Sequence, residues 1–401
     1  MRKMGSVPII LIVAHIFSML GFSTYPALLP ELQGAWGLSN SQAGIIGSFF
    51  FAGYIATVSF WTALTDRMDG RWVYAAGSAL ALAGCAGFGF GAQGFLSACV
   101  LQALMGAGIA GTYMPGLRLL SDVVHGKAQS RYIAFYTSFF GIGAALSFAL
   151  AGYIAPIAGW RMAFVWCAAG SVVSGLMVFF SVAAKTPSGA THSILFPLAA
   201  WRRILANRPA AGYIFGYCVH CLELFGSRGW MVAFLAFAAG LGAADASPWS
   251  PTAIAAFVNI CAVPASILGN EMALRIGRRR WILIVMASSS LAGVALAFSA
   301  PLHWALVVAL LVVYSMLVMA ESATLTAGLV AAAPAELRGS AMGLYSLIGF
   351  GGGMLGPAVF GAALDLAGGQ GSVLAWACGY AAIGAGCLAA PLVARLFKAA
   401  R

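Results

Sequence analysis

Four ionisable side chains stand in stretches of sequence that are otherwise almost wholly apolar: His220, Glu223 and Arg228 within 210–239, and Glu321 within 304–332. His220 and Glu223 are spaced i, i+3, and Ser227 follows Glu223 at i+4, so a helix through them puts all three on one face. An imidazole beside a carboxylate takes up and releases protons near neutral pH. The chemistry on offer is proton transfer at a buried site. Arg228 lies roughly 140° around such a helix from Glu223 and points elsewhere, with Glu321 or Asn259 as candidate partners. Two other uses stay open for these residues, a static ion pair that orders the helices and solute binding without protonation. Cys218, His220, Cys221, Cys261 and Met231 also sit close in sequence, and thiolate and imidazole suit copper. A cysteine in an apolar helix is ordinarily a small hydrophobe, however, and no methionine–histidine pair recurs at i, i+4, so no metal site is expected.

The elements that carry these residues follow from composition. The 401 residues are 62% hydrophobic and 8% charged, against about 25% charged in a soluble domain. Most of the exterior must therefore face lipid. A spanning helix needs about 20 apolar residues, and twelve such stretches occur, at about 7–29, 43–64, 72–94, 95–117, 132–158, 162–184, 210–239, 246–269, 281–300, 304–332, 339–363 and 372–394. The apolar run from Val7 to Leu29 follows Arg2 and Lys3 without a small-residue cleavage site and is read as a retained first helix. All eight cysteines fall in apolar runs, which argues against a disulfide framework.

Net charge is +11, but the basic residues sit in short loops between apolar runs rather than on one face, so they are read as topology determinants and not as a nucleic-acid surface. With both termini cytoplasmic, only Arg161 falls in a loop on the opposite side. The polar stretch from Lys185 to Pro209 divides the chain into 1–184, a cytoplasmic linker 185–209, and 210–401. Its segment Trp201–Leu205 has amphipathic character, but the simpler reading is a flexible linker. The two halves look duplicated: Tyr136, Gly143 and Gly152 match Tyr345, Gly352 and Gly361 at one offset of 209. Glycines such as Gly106, Gly108, Gly352 and Gly356 read as places where helices approach closely.

The loop after the second span, Asp66-Arg67-Met68-Asp69-Gly70-Arg71, is echoed after the eighth by Glu271 to Arg280. At these loops the chain resembles the major facilitator superfamily, whose second loop reads roughly G-x-x-x-D-R-x-G-R-R. Trp160-Arg161 and Pro334-Ala335-Glu336-Leu337-Arg338-Gly339 add to the resemblance, which covers the whole chain. The first copy departs from the pattern, with Thr62 for glycine and one extra residue before Gly70. Gln102 stands where drug–proton exchangers of the superfamily usually have arginine, and Gly141 to Gly152 lacks the proline of their fifth-helix motif. The usual signature of proton-coupled drug efflux is therefore missing.

The resemblance implies an all-α membrane protein of two pseudo-symmetric six-helix bundles, with a midplane site lined by helices one, four, seven and ten. Candidate substrate and proton-coupling residues are Glu223, His220, Glu321, Arg228, Gln102, Tyr113 and Asn259. Candidate cytoplasmic gate residues are Asp66, Arg67, Arg71, Glu271, Arg275, Arg278, Arg118 and Asp122, whose charges would latch one bundle to the other. The functional expectation is secondary active transport of a small solute by alternating access, proton-coupled, with efflux favoured. Import of a small metabolite, organic anion or copper is the alternative, and a non-transporting sensor on the same fold ranks below both. No nucleotide-binding loop of the G-x-x-x-x-G-K-[ST] type occurs, and no catalytic constellation emerges from ten acidic residues and five histidines. No enzyme activity, cofactor, metal or nucleic-acid partner is expected; the expected setting is the bacterial inner membrane, as a monomer.

Overall fold

A computed structural model describes residues 6–125, 127–185, 197–243 and 249–396. Among these residues the chain is nearly all helical and contains no strand. Hydrocarbon offers backbone amides no hydrogen-bond partners, so long apolar runs close their bonds within helices. Nine helices among the described residues are long and apolar enough to cross a membrane, and Val7–Ser18 and Val373–Ala389 are shorter apolar ones. One of the nine, Arg131–Ser181, turns at Gly159 (φ 83°), a left-handed position between the expected fifth and sixth spans. The set is consistent with twelve spans.

Two compact units form. The first comprises Met1–Glu31 and Phe49–Phe196, the second Leu32–Ser48 and Pro197–Arg401. In chain order the helices are α1 (Val7–Ser18), α2 (Thr24–Ala27), α3 (Leu29–Trp36), α4 (Asn40–Leu64), α5 (Gly70–Gly91), α6 (Phe95–Val123) and α7 (Lys127–Ser181). There follow α8 (Leu198–Ala206), α9 (Arg208–Ala238), α10 (Pro251–Ile276), α11 (Arg278–Phe298), α12 (Trp304–Met319), α13 (Ser322–Ala332), α14 (Arg338–Leu366) and α15 (Val373–Leu396). Leu11, Ile12, Tyr74, Leu120 and Val178 build one core cluster in the first unit; Ile214, Met286, Leu325, Leu329 and Leu344 build one in the second.

Three sequence expectations change. The first apolar run is not one helix: α1 stops at Ser18 and the chain turns before α2. Ser147 of α7 holds the turn, donating to the Leu20 carbonyl at 2.5 Å and accepting from the Ser23 amide at 2.9 Å, so the backbone groups freed by the break are satisfied inside protein. The tenth run forms one membrane-length helix as expected, Trp304–Ala332, but its hydrogen-bond ladder is interrupted at Ala320–Glu321, between α12 and α13, where both residues keep right-handed helical angles. There the Trp281 indole donates to the Ala320 carbonyl at 3.0 Å, and Gly269 lets α10 come against that same carbonyl with no side chain between. The third change concerns the linker. Residues 198–206 form a helix that buries Ile204 and leaves Arg202 and Arg203 outward; the stretch 186–196 lies outside the described residues, as do both chain ends.

Candidate functional site

Helix α9 places His220 and Glu223 one turn apart, as their spacing dictates, and both are buried at 1% exposure. The partner of the imidazole is nevertheless not Glu223. His220 Nδ1 lies 3.0 Å from Oε1 of Glu321, which is also 1% exposed. Glu321 precedes the first turn of α13 and forms no cap hydrogen bond there, so its carboxylate is free to reach across to α9. A negative group at that position is favoured by the helix N-terminus behind it. The second oxygen of Glu321 and the Nε2 of His220 make no hydrogen bond. The pair thus shares its hydrogen bond internally, which a buried carboxylate and imidazole require if neither is to stand as an isolated charge.

Glu223 points to α11. Its Oε2 accepts from Ser289 Oγ at 2.9 Å. Ser227, expected beside Glu223, instead donates to the Leu224 carbonyl of its own helix. Tyr217 stacks on Tyr345 with ring centroids 3.8 Å apart and 8° between planes, and also on His220 at 5.6 Å. Thr326 and Tyr345 share a hydrogen bond at 2.9 Å, which fixes the phenol from α13. Arg228 is 8% exposed and, among the described residues, forms no ion pair within 4 Å, so the structure does not join it to Glu321. The Asn259 side chain donates to the Ala255 carbonyl one turn back, leaving its oxygen unpaired. Among the described residues no three His, Cys, Asp or Glu side chains group as a metal site.

The first unit carries a different cluster. His15 of α1 is wholly buried and stacks on Tyr136 of α7, centroids 4.2 Å apart and planes 18° apart. Tyr113 and Phe140 flank it at 5.2 and 6.4 Å. Tyr136 donates to the Tyr113 carbonyl at 3.0 Å. Neither ring nitrogen of His15 has a hydrogen-bond partner. Gln102, also buried, has an unpaired side-chain amide nitrogen.

At the loop after α4, Arg118 reaches Asp66 at 3.4 Å and Asp122 at 3.6 Å, and Lys185 reaches Asp122 at 3.0 Å. Asp69 caps α5 by accepting from the Arg71 amide at 3.0 Å and pairs with the Arg71 guanidinium at 2.8 Å. Partial burial works against ionisation of Asp69, but the hydrogen bonds and charge of Arg71 outweigh it and hold the carboxyl below its ordinary value. Every one of these contacts closes inside the first unit. In the second copy of the loop, Glu271, Arg275 and Arg278 form no ion pair within 4 Å among the described residues, and neither does Arg67.

Sequence reasoning passed over Asp365 at the end of α14. Its carboxylate accepts from the Asn40 amide (3.1 Å), Asn40 Nδ2 (2.8 Å), the Ser41 amide (2.7 Å) and Ser41 Oγ (2.6 Å). It caps the start of α4 from another helix, within the second unit. The readable signal was Asn40-Ser41 at a helix start together with an acidic residue that ends an apolar run.

Comparison with known proteins bears on the family and the fold. The family model for the Major Facilitator Superfamily matches residues 11–357. A probable 4-methylmuconolactone transporter of Cupriavidus pinatubonensis (strain JMP 134 / LMG 1197) is 29% identical over 161 residues, 38% of this chain and 36% of that protein. The niacin transporter NiaP of Acinetobacter baylyi (strain ATCC 33305 / BD413 / ADP1) is 25% identical over 153 residues, 37% of this chain and 34% of that one. These matches span about a third of the length of either relative. In fold, the chain is similar to the nucleoside transporter NupG (TM-score 0.76, 14% identity, 98% of this chain and 99% of that one). It is also similar to an inward-facing bacterial homologue of the human lysosomal transporter Spinster (TM-score 0.75, 15% identity, 99% and 95%).

Proposed function

The chain belongs to the Major Facilitator Superfamily, and from that premise we propose that it is a proton-coupled secondary transporter in which the His220–Glu321 pair carries the coupling proton. The observation that carries the reading is that pair: two titratable groups 3.0 Å apart, both 1% exposed, joined across α9 and the break between α12 and α13. Ionisable side chains at bilayer depth cost several kcal/mol unless partnered, and where they persist they mark ion or proton paths. The interruption of the hydrogen-bond ladder beside Glu321 is the place where this helix can respond to the charge of the pair. Adding one proton changes that charge by one. Glu223, held by Ser289, is the second carboxylate in the same unit and tunes that step.

The cargo is a small cyclic organic solute, a class supported by relatives named for 4-methylmuconolactone and niacin. Movement is by alternating access, with no bond made or broken in the solute. The protein sits in the bacterial inner membrane as a monomer with both termini cytoplasmic, as its Lys/Arg distribution supports. Its halves are 1–184 and 210–401, joined by 185–209.

The test is accumulation of radiolabelled niacin and 4-methylmuconolactone in a transporter-deficient host, with and without a protonophore. Lowered accumulation marks export, the direction the sequence favours, and raised accumulation marks import. In either case the change is expected to vanish with the protonophore and in Glu321→Gln. A change that survives both contradicts proton coupling through this pair.

A further inference from the structure

The two units repeat one packing device, and at one point the repeat is chemically unequal. Gly143 and Gly352 correspond at the offset of 209, as do Tyr136 and Tyr345. Gly143 lets the Ile16 carbonyl approach α7, and Gly352 lets the Cys218 carbonyl approach α14. The residue just before each carbonyl stacks on the corresponding tyrosine: His15 on Tyr136 at 4.2 Å, Tyr217 on Tyr345 at 3.8 Å. Two independent contacts therefore set His15 and Tyr217 in register. The second unit shows that a phenol fills this place. In the first unit an imidazole fills it, adding two hydrogen-bonding nitrogens, both buried and both without a partner in the protein.

An unsatisfied buried polar group costs stability, and packing alone does not call for one here. Three aromatic rings lie against it: Tyr136 behind it, Tyr113 and Phe140 beside it. The last two are only partly buried and form the less enclosed side of the cluster. Resting on the transport reading above, we infer that His15 is the hydrogen-bonding centre of a solute site in the first unit for a planar cyclic organic acid. The imidazole N–H donates to the solute carboxylate, and Tyr113 and Phe140 turn aside to lie against the solute ring. Proton handling by the second unit and recognition of the solute ring by the first are then separate jobs on separate helices.

The experiment is equilibrium binding of radiolabelled niacin to the purified full chain in detergent, at one pH and with no gradient. His15→Phe keeps an aromatic ring on Tyr136 and removes both nitrogens. It is expected to weaken binding about tenfold or more, the usual consequence of losing a hydrogen bond to a charged group. His15→Tyr, which copies the second unit, checks that a loss is not a folding defect: both it and His15→Phe should elute and melt like the parent. Unchanged binding in His15→Phe overturns the assignment. So does loss in Glu321→Gln with retention in His15→Phe, which would put the solute at the second unit's pair. If the parent binds neither niacin nor 4-methylmuconolactone, the cyclic-acid class is wrong. Failure of proton coupling alone would leave these binding results in place, so the two readings fall separately.

Discussion

The first unit surrounds its buried histidine with aromatic rings, whereas the second gives its buried histidine a carboxylate. Both units use glycines to bring a backbone carbonyl against a neighbouring helix: Gly53 meets the Ala103 carbonyl, Gly269 the Ala320 carbonyl. The scaffold is repeated but the chemistry placed on it is not. In the second unit the close crossing coincides with the interruption between α12 and α13 and with Glu321; in the first, α6 runs uninterrupted through its crossing and carries no acid there. Duplicated packing leaves each half free to specialise. In the second unit the buried titratable groups collect beside the interruption between α12 and α13, and in the first the buried histidine collects aromatic rings.

The sharpest way to break this comparison is to remove the acid. Glu321→Gln should abolish the protonophore-sensitive change in accumulation, whichever its sign, about a hundredfold loss of coupled transport rate if the proposed coupling group is removed. His15→Phe should leave the protonophore sensitivity of any residual transport intact. A His15 variant whose residual transport no longer responds to protonophore would erase the division of labour. A weaker perturbation of the second unit is Ser289→Ala, which takes one hydrogen bond from Glu223 without touching its charge. About a fivefold fall in transport rate is expected, since a single hydrogen bond contributes roughly 1 kcal/mol; no change would mean that Glu223 does not act in the proton step.

The helix ends sharpen the comparison further. Asp365→Ala in the second unit removes all four hydrogen bonds that cap α4 and should cost about 1–2 kcal/mol, the scale of a lost N-cap. Its melting temperature should fall by a few degrees. The cap in the first unit is smaller. Asp69→Ala should cost about 1 kcal/mol or less near neutral pH, since the cap and its ion pair are partly solvated. Because the folded value of Asp69 is depressed, its contribution is present above the unfolded carboxylate value and is lost as pH falls through the folded one. Parent and variant melting curves should therefore converge in acid; a gap that persists there would mean that Asp69 acts by packing alone.

Much of the fold was legible because lipid demands long apolar runs, and twelve such runs can be counted without a structure. The two helix breaks were not, since hydropathy is blind to them: Met19–Ser23 and Ala320–Glu321 keep the runs apolar or nearly so. What makes each break tolerable is a distant side chain, Ser147 for one and Trp281 for the other. The same limit applied to the site. The spacing of His220 and Glu223 correctly put both on one helix, but a shared face says nothing of which neighbouring helix supplies the partner. Glu321 and Ser289 are 101 and 66 residues away. His15 was the hardest to read, because a single histidine in an apolar run carries no spacing signal and its meaning comes from what stands at the corresponding place in the second unit.

The measurement closest to the central claim is internal pH in proteoliposomes holding a fluorescent pH dye, after niacin is added outside at equal starting pH. The parent should change internal pH as solute moves, and Glu321→Gln should give no change while still binding niacin. Equal pH changes in parent and variant would contradict the account and remove the His220–Glu321 pair from the proton's path.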